Sequence, residues 1–456
     1  MSRLSFDDVL ARTTTILDRL FPPPRSFTVR LWDGTELPGS GDVGFCLVFN
    51  SPGALRRMLT PPIELSLGEA FIYGDVDIDG DIFAATSLVD SLLGRSFSVG
   101  ELVALARTLR GLPRAGADRG AGRGPARLHG SRHSQARDQA AIQYHYDVGN
   151  DFYALWLDRN MQYSCAYFHT GTEDLDTAQE QKMEHTCRKL RLRPGERLLD
   201  IGCGWGGLIM YAAARYGVQA LGITLSKNQV EYANDQIVRA GLDDRVQVKL
   251  MDYRDPALTS FDKIVSVGMF EHVGRSHLPE YFAHAYRLLK LGGLFLNHGI
   301  SLRSPIRYAA VSGSSDGASV RTYREAVWRK LTERHILGVD SFIQRYVFPD
   351  GEVIPVSEVN LFAEHAGFEV RDVENLREHY ALTLRQWVRR LEAHQAEAIR
   401  AADETTYRVW RMYMAAVTYG FETGMNNVNQ TLLSKPDAGK SSLPLTRADL
   451  YDGAGS

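Results

Sequence analysis

A chain of 456 residues exceeds what one hydrophobic core ordinarily organises, so two or three domains are expected. Hydrophobic residues at 44% and charged residues at 23% exclude a mainly disordered chain, and a formal net charge of −3 argues against a general nucleic-acid binder. The four cysteines, Cys46, Cys165, Cys187 and Cys203, are widely spaced without a CxxC pair, which points to reduced thiols and away from zinc or a disulfide framework.

The first residues, MSRLSFDDVLARTTTILDRLF, carry internal acids and no unbroken apolar core, a poor pattern for a signal peptide. No apolar run reaches the roughly 18 residues that a membrane span needs. A cytoplasmic protein, peripheral at most at the inner membrane surface, is therefore expected. From Ser26 to Asn50 the chain alternates as strands do, with turn chemistry at Asp33-Gly34. A helix follows at SPGALRRML, with Ser51 and Pro52 as cap and first-turn residues, and TSLVDSLL and ELVALARTL also read as helices. Residues 1–110 thus form a small α+β unit.

Over about 111–139 the composition turns to glycine and arginine with hardly any aliphatic bulk. Such a stretch buries too little surface to offset its ordering entropy, so a flexible linker is expected. Residues 140–435 form the next unit. From Arg197 to His298 it alternates strand and helix: RLLDIG, LIMYAAARYG, VQALGIT, KNQVEYANDQIVRAG, VQVKLMDY, FDKIVSVGM, PEYFAHAYRLLK and GLFLNHGI. This alternation predicts an α/β fold, a mostly parallel sheet with helices on both faces. After SLRS comes an insertion, about 303–337, with a Ser/Gly-rich piece and then Arg324, Arg329, Lys330 and Arg334 around Trp328. A basic helix with an aromatic residue suits an anionic membrane surface; a solvated helix face is the plainer reading. Residues 436–456 read as a disordered tail.

The strongest local signal is Leu198-Leu199-Asp200-Ile201-Gly202-Cys203-Gly204-Trp205-Gly206-Gly207, an apolar strand running into glycines and then a helix. Glycines there let the backbone pass close to a ligand. The spacing is G-x-G-x-G-G rather than G-x-G-x-x-G, and the next strand ends in Gly222-Ile223-Thr224 without an acid for a ribose diol. Both details tilt against a nicotinamide dinucleotide.

DIGCGWGG, GITLSKNQ, DYRD and SVGMFEHVG, with YHYDVGNDFYALWLD and MQYSCAYF upstream and NHGI and YVFPDGEVIP downstream, resemble the cyclopropane-fatty-acyl-phospholipid synthase family, which includes the mycolic acid cyclopropane synthases. The resemblance covers roughly Gln143 to Leu433. It implies a class I methyltransferase fold (Rossmann-like), S-adenosylmethionine as co-substrate, and an N-terminal lipid-binding domain of the kind found in longer bacterial members. By position it assigns Tyr163 and Ser164 to the methionine part of S-adenosylmethionine, and Asp200, Gly202 and Gly204 to the turn beneath it. Thr224, Leu225 and Gln229 fall near the ribose, and Tyr253 and Arg254 beside the adenine. It also implies a bound bicarbonate as base, held by Cys165, Glu271, His298, the backbone at Ile300, and Tyr380. Unsaturated phospholipid acyl chains at a membrane surface are the implied substrate, and a homodimer the implied assembly.

An alkene that attacks a sulfonium methyl leaves a carbocation, so the site must exclude water, stabilise positive charge and accept a proton. Aromatic faces at Tyr146, Tyr163 and Tyr167 are candidates for the second task. Loss of the proton from the transferred carbon gives a cyclopropane; loss after a hydride shift gives a methyl- or methylene-branched chain. The asparagines of GFETGMNNVNQTLL, where related chains carry arginine and bulkier residues, leave both products open. His145 and Asp147 belong either to a lid over the cofactor or to a helix cap. Two other classes compete: a lipid-binding scaffold with a decayed site, and a methyltransferase acting on small soluble nucleophiles.

Overall fold

Seven strands with an apolar face, each followed by chain that must cross back, define the main layer of the protein. The computed structural model describes residues 5–41, 43–86, 88, 98–114, 122–303 and 341–451. The insertion beyond Arg303, with its basic cluster around Trp328, lies outside the described residues. Contacts divide the chain into two units.

Among the described residues, the first unit takes those up to 125 together with 341–347 and 403–419. A capped helix, Phe6–Leu20, precedes a four-stranded sheet of β1 (Thr28–Arg30), β2 (Glu36–Leu37), β3 (Phe45–Phe49) and β4 (Val76–Gly80), in the order β2-β1-β3-β4. The β1–β2 pair folds back at Asp33-Gly34 as expected, with Asp33 Oδ1 accepting the Thr35 N–H at 3.0 Å. The next helix starts at Ala54, with Gly53 at its cap, three residues after the serine read as the cap. Phe27, Phe45, Phe49, Leu17 and Leu55 fill one core.

Residues 341–347 and 403–419 group here, although the sequence places both inside the following unit. Their side chains explain why. Tyr346 donates to Glu69 Oε1 at 2.9 Å, and Arg408 pairs with Asp77 at 2.7 Å while lying over Phe71. Trp410 is fully buried.

The second unit takes residues 126–307, 348–402 and 420–456. Its strands are β5 (Arg197–Ile201), β6 (Gln219–Thr224), β7 (Val246–Leu250), β8 (Phe261–Val267), β9 (Leu289–Leu302), β10 (Glu369–Asn375) and β11 (Asn426–Ser434). The order is β10-β11-β9-β8-β5-β6-β7, with β7 to β9 parallel and β11 and β10 antiparallel. The expected α/β sheet is present. The strand order reverses at β5 and β8, which opens a crevice beyond their carboxyl ends.

Caps mark the helices that pack on this sheet. Asp174 accepts the Thr177 N–H at the head of Leu175–Leu190, and Ser226 accepts that of Gln229 at the head of Lys227–Arg239. Gly217, left-handed at φ +67°, closes Gly207–Tyr216. Phe295, fully buried on β9, meets Tyr281, Phe282 and Phe368 at centroid separations of 6.2, 6.3 and 5.8 Å. Replacing Phe295 by alanine should cost about 3–5 kcal/mol, read as a lowered midpoint in urea unfolding; a loss under about 1 kcal/mol would contradict this packing.

Two expected boundaries shift. The linker read over 111–139 ends in ordered helix, since Gln135–Tyr146 is helical. The segment read as a disordered tail packs as far as Tyr451. Leu450 is buried, Arg191 pairs with Asp449 at 2.8 Å, and Arg447 reaches Asp372 at 2.5 Å. Its few apolar residues hid this, because its partners, the end of the helix Leu175–Leu190 and β10, lie far along the chain.

Candidate active site

The crevice at the strand ends is a cleft of about 1040 Å³, counted to its open mouth. Gly202 and Gly204 follow β5, Thr224 ends β6 and Leu225 follows it, Asp252 to Arg254 follow β7, and Val267 ends β8 with Gly268 and Met269 after it. Asp138, Ile142 and Tyr146 of the helix Gln135–Tyr146 complete it, together with Met161 to Ser164. All ten residues assigned to the cofactor from sequence (Tyr163, Ser164, Asp200, Gly202, Gly204, Thr224, Leu225, Gln229, Tyr253 and Arg254) line this one cleft.

Backbone geometry accounts for the glycines. Gly202 has φ +84° and a Cβ there would sit 2.8 Å from Met269 Cγ. Gly204 has φ +55°, and a Cβ there meets nothing within 4 Å, so it would project into open space. Asp200 Oδ1 and Gln229 Nε2, buried on the cleft, have no protein partner. Burial pushes the Asp200 carboxyl up to about 7. The Thr224 hydroxyl donates to Gln229 Oε1 at 2.7 Å, which fixes the amide and leaves its N–H pair free to donate. Arg254 makes 2.7 Å bonds to both oxygens of Asp252, reaches Asp138 at 3.2 Å and lies over Tyr253. These residues fit an adenosyl ligand: donors and acceptors for a ribose, an aromatic face for a base, and a glycine turn against a thioether or sulfonium.

The five residues assigned to the base do not line this cleft; Glu271 and Cys165 stand next to residues that do. Glu271 lies between Met269 and His272, and Cys165 follows Ser164. Glu271 Oε1 accepts the Ile300 N–H at 2.7 Å, while Oε2 is buried without a partner. Burial raises the Glu271 carboxyl to about 7, so it holds a proton near neutrality. His298, two residues before Ile300 on β9 and so on the same strand face, faces Gln430 Nε2 at 3.2 Å through Nδ1. That contact makes Nδ1 the acceptor and leaves the orphaned Nε2 as the donor. Burial pulls the His298 imidazole down to about 3, which keeps the ring neutral. Cys165 Sγ approaches the carbonyls of Ala166 and Leu376, and the Ala166 N–H bonds Thr383, so Cys165 rests on the helix Arg377–Ala393 that carries Tyr380. Burial pushes its thiol up, and a thiolate is disfavoured. The direct contacts thus join the set in two groups, Glu271 with Ile300 and Cys165 with the Tyr380 helix.

Of the aromatics expected to face developing charge, Tyr146 and Tyr163 line the cleft. Tyr167 does not. Its N–H bonds the Ala178 carbonyl, which turns it toward the helix Leu175–Leu190, and its ring stacks between His185 and His379 at 4.3 and 4.8 Å. His145 is fully buried, stacked on Phe348 at 4.0 Å and on Tyr163 at 5.5 Å. Asp147 is the residue that ends the helix Gln135–Tyr146. His145 thus supports a ring on the cleft, and Asp147 takes the cap position. Sequence reasoning missed Lys182, fully buried beneath Ser164; the signal was a lysine on the apolar face of Leu175–Leu190.

A family profile described as mycolic acid cyclopropane synthetase matches residues 133–431. The chain belongs to the mycolic acid cyclopropane synthetase family. It is an S-adenosylmethionine-dependent methyltransferase of that family. A probable fatty acid methyltransferase from Pseudomonas putida is 38% identical over 97% of this chain and 100% of its own. The cyclopropane-fatty-acyl-phospholipid synthase of Escherichia coli (strain K12) is 38% identical over 64% of this chain and 66% of its own. Among solved structures, mycolic acid cyclopropane synthase CmaA1 complexed with SAH and CTAB is 33% identical, covers 65% of this chain and 97% of its own, and superposes with a TM-score of 0.56. No helix among the described residues is long and apolar enough to cross a membrane.

Proposed function

We propose that the chain transfers the one-carbon unit of S-adenosylmethionine to the cis double bond of unsaturated phospholipid acyl chains and closes it to a cyclopropane. One observation carries the reading: Glu271 Oε2 and His298 Nε2 are each buried without a protein partner, on residues that adjoin Met269 and Val267 of a cleft that fits an adenosyl ligand. A protonated Glu271 and a neutral His298 both present donors, the requirement for holding a small oxyanion. Bicarbonate, when bound, supplies the base that takes the proton from the transferred carbon.

In this reading Cys165 and Tyr380 complete the set, and Cys165 Sγ meets the carbonyl of Leu376, the residue that caps the helix carrying Tyr380. Tyr146 and Tyr163 present ring faces to charge developing at the cleft, each contributing on the order of 0.5–2 kcal/mol where water is excluded. The N-terminal unit binds lipid in this reading, at a membrane surface and in a homodimer. A second reading, branching methylation of the same acyl chain, is favoured by the end-to-end match with a probable fatty acid methyltransferase.

Incubation of the purified protein with S-adenosylmethionine, bicarbonate and vesicles of cis-unsaturated phospholipid, followed by mass spectrometry and NMR of the lipid, decides between them. A gain of one CH₂ with cyclopropane protons is the expected result. The same gain with vinylidene or branched-methyl signals selects the second reading. No gain on phospholipid would sink both.

A further inference from the structure

Lys182 is a charged side chain with no exposure at all, set on the helix Leu175–Leu190 and absent from the cleft lining. Its ammonium donates to Gln162 Oε1 at 2.6 Å and to Ser164 Oγ at 2.9 Å. One helical turn earlier, Gln179 Nε2 donates to the carbonyls of Gln162 and Ser164 at 3.3 and 2.8 Å. Residues three apart on one helix face therefore grip both the side chains and the backbone of the segment that carries Tyr163 and Ser164 to the cleft. From the other side, Asp158, also buried, accepts the N–H groups of Asn160 and Gln162 at 2.9 and 2.7 Å.

A buried ammonium is costly unless paired and hydrogen-bonded, so its presence needs a reason. Ammonium has no lone pair and can only donate. Ser164 Oγ is then the acceptor in this contact, and its single hydroxyl proton must point elsewhere. Ser164 lines the cleft, so the direction left to that proton includes the ligand.

We propose that Lys182 is a positioning residue that turns Ser164 into a hydrogen-bond donor for the carboxylate at the amino-acid end of S-adenosylmethionine. The assignment rests on reading the cleft as the cofactor site. Its polarity is complementary to that of Asp200, whose orphaned Oδ1 on the same cleft suits the ammonium of the same amino acid.

Two ligands separate this role from a merely structural one. S-adenosylhomocysteine carries the amino-acid end; 5′-methylthioadenosine keeps the adenosyl thioether and lacks it. Calorimetric titration of the full chain bearing Lys182→Met should show S-adenosylhomocysteine weakened about 10- to 100-fold, the range for one hydrogen bond to a charged group. Binding of 5′-methylthioadenosine should stay within about twofold of wild type. Ser164→Ala should reproduce the pattern, and the double variant should be no worse than the poorer single one, because the two act as one unit. Equal weakening of both ligands, or unchanged S-adenosylhomocysteine binding, would overturn the assignment. If Lys182→Met does not fold, Lys182→Gln, which keeps an N–H donor to Ser164 without the charge, should hold S-adenosylhomocysteine within about tenfold of wild type while Ser164→Ala loses more, and equal weakening of both ligands by Lys182→Gln would overturn the assignment. A wild-type chain that bound neither ligand would overturn the reading of the cleft and this assignment together, and no other result does so.

Discussion

Glu271→Gln should lower kcat by about 10²–10³-fold while leaving the affinity for S-adenosylmethionine within about twofold of wild type. Glu271 lies beside the cofactor cleft and not in its lining, and its one bonded oxygen is spent on the Ile300 N–H at 2.7 Å. Glutamine keeps an oxygen for that N–H, so the local turn survives. What changes is the second position, where a carboxyl that can release its proton becomes an amide that donates hydrogen bonds but cannot. Equal losses in kcat and in cofactor affinity would show that Glu271 serves the adenosyl group instead.

The same substitution has a stability signature of known sign. Burial raises the Glu271 carboxyl from 4.5 to about 7, so the folded state binds that proton more tightly than the unfolded one. The associated stability is fully present below pH 4.5 and is lost as pH rises through 7. Glutamine has no proton to lose. Thermal unfolding of Glu271→Gln should therefore gain on wild type between pH 5 and pH 8, by on the order of 3 kcal/mol at most. A constant difference across that window would mean that Glu271 is already ionised in the fold.

The second large effect is expected at Gly204. With φ +55° and open space where a Cβ would stand, Gly204→Val adds bulk that strikes no protein atom at its root and projects into the cleft. Strain from the left-handed backbone should cost about 1–3 kcal/mol of stability, and the fold should persist. Binding of S-adenosylhomocysteine should fall more than about 100-fold, since a ligand seated against that turn has no room to retreat. Calorimetric titration beside circular dichroism checks both halves. Retained binding would move the adenosyl ligand away from the glycine turn.

Gly204 is also where sequence and structure agree most closely. An apolar strand, then glycines, then a helix can be read from a string because each step is local: residues within ten positions set the dihedral angles and the closeness of approach. The same holds for the strand–helix alternation from β5 to β9. It fails for β10 and β11, neither of which was anticipated. Their sequences, EVRDVEN and NNVNQTLLS, are too polar to announce them, and Asn426–Ser434 becomes a strand because β9 offers its free edge along nine paired positions.

The residue types that do chemistry, and their order along the chain, were set by the sequence alone, as was the turn that shapes the cleft. Tertiary structure decided the rest. Tyr167 sits two residues after Cys165 and looks equivalent to Tyr163, yet a backbone bond to Ala178 turns it away from the cleft. Lys182 reads as a solvated helix residue until Gln162 and Ser164 close over it. Residues 403–419 leave the methyltransferase unit because Arg408 finds Asp77 and Phe71 more than three hundred residues upstream. In each case the deciding partner is far along the chain, and the burial that fixes charge, proton and direction exists only once the two are packed together.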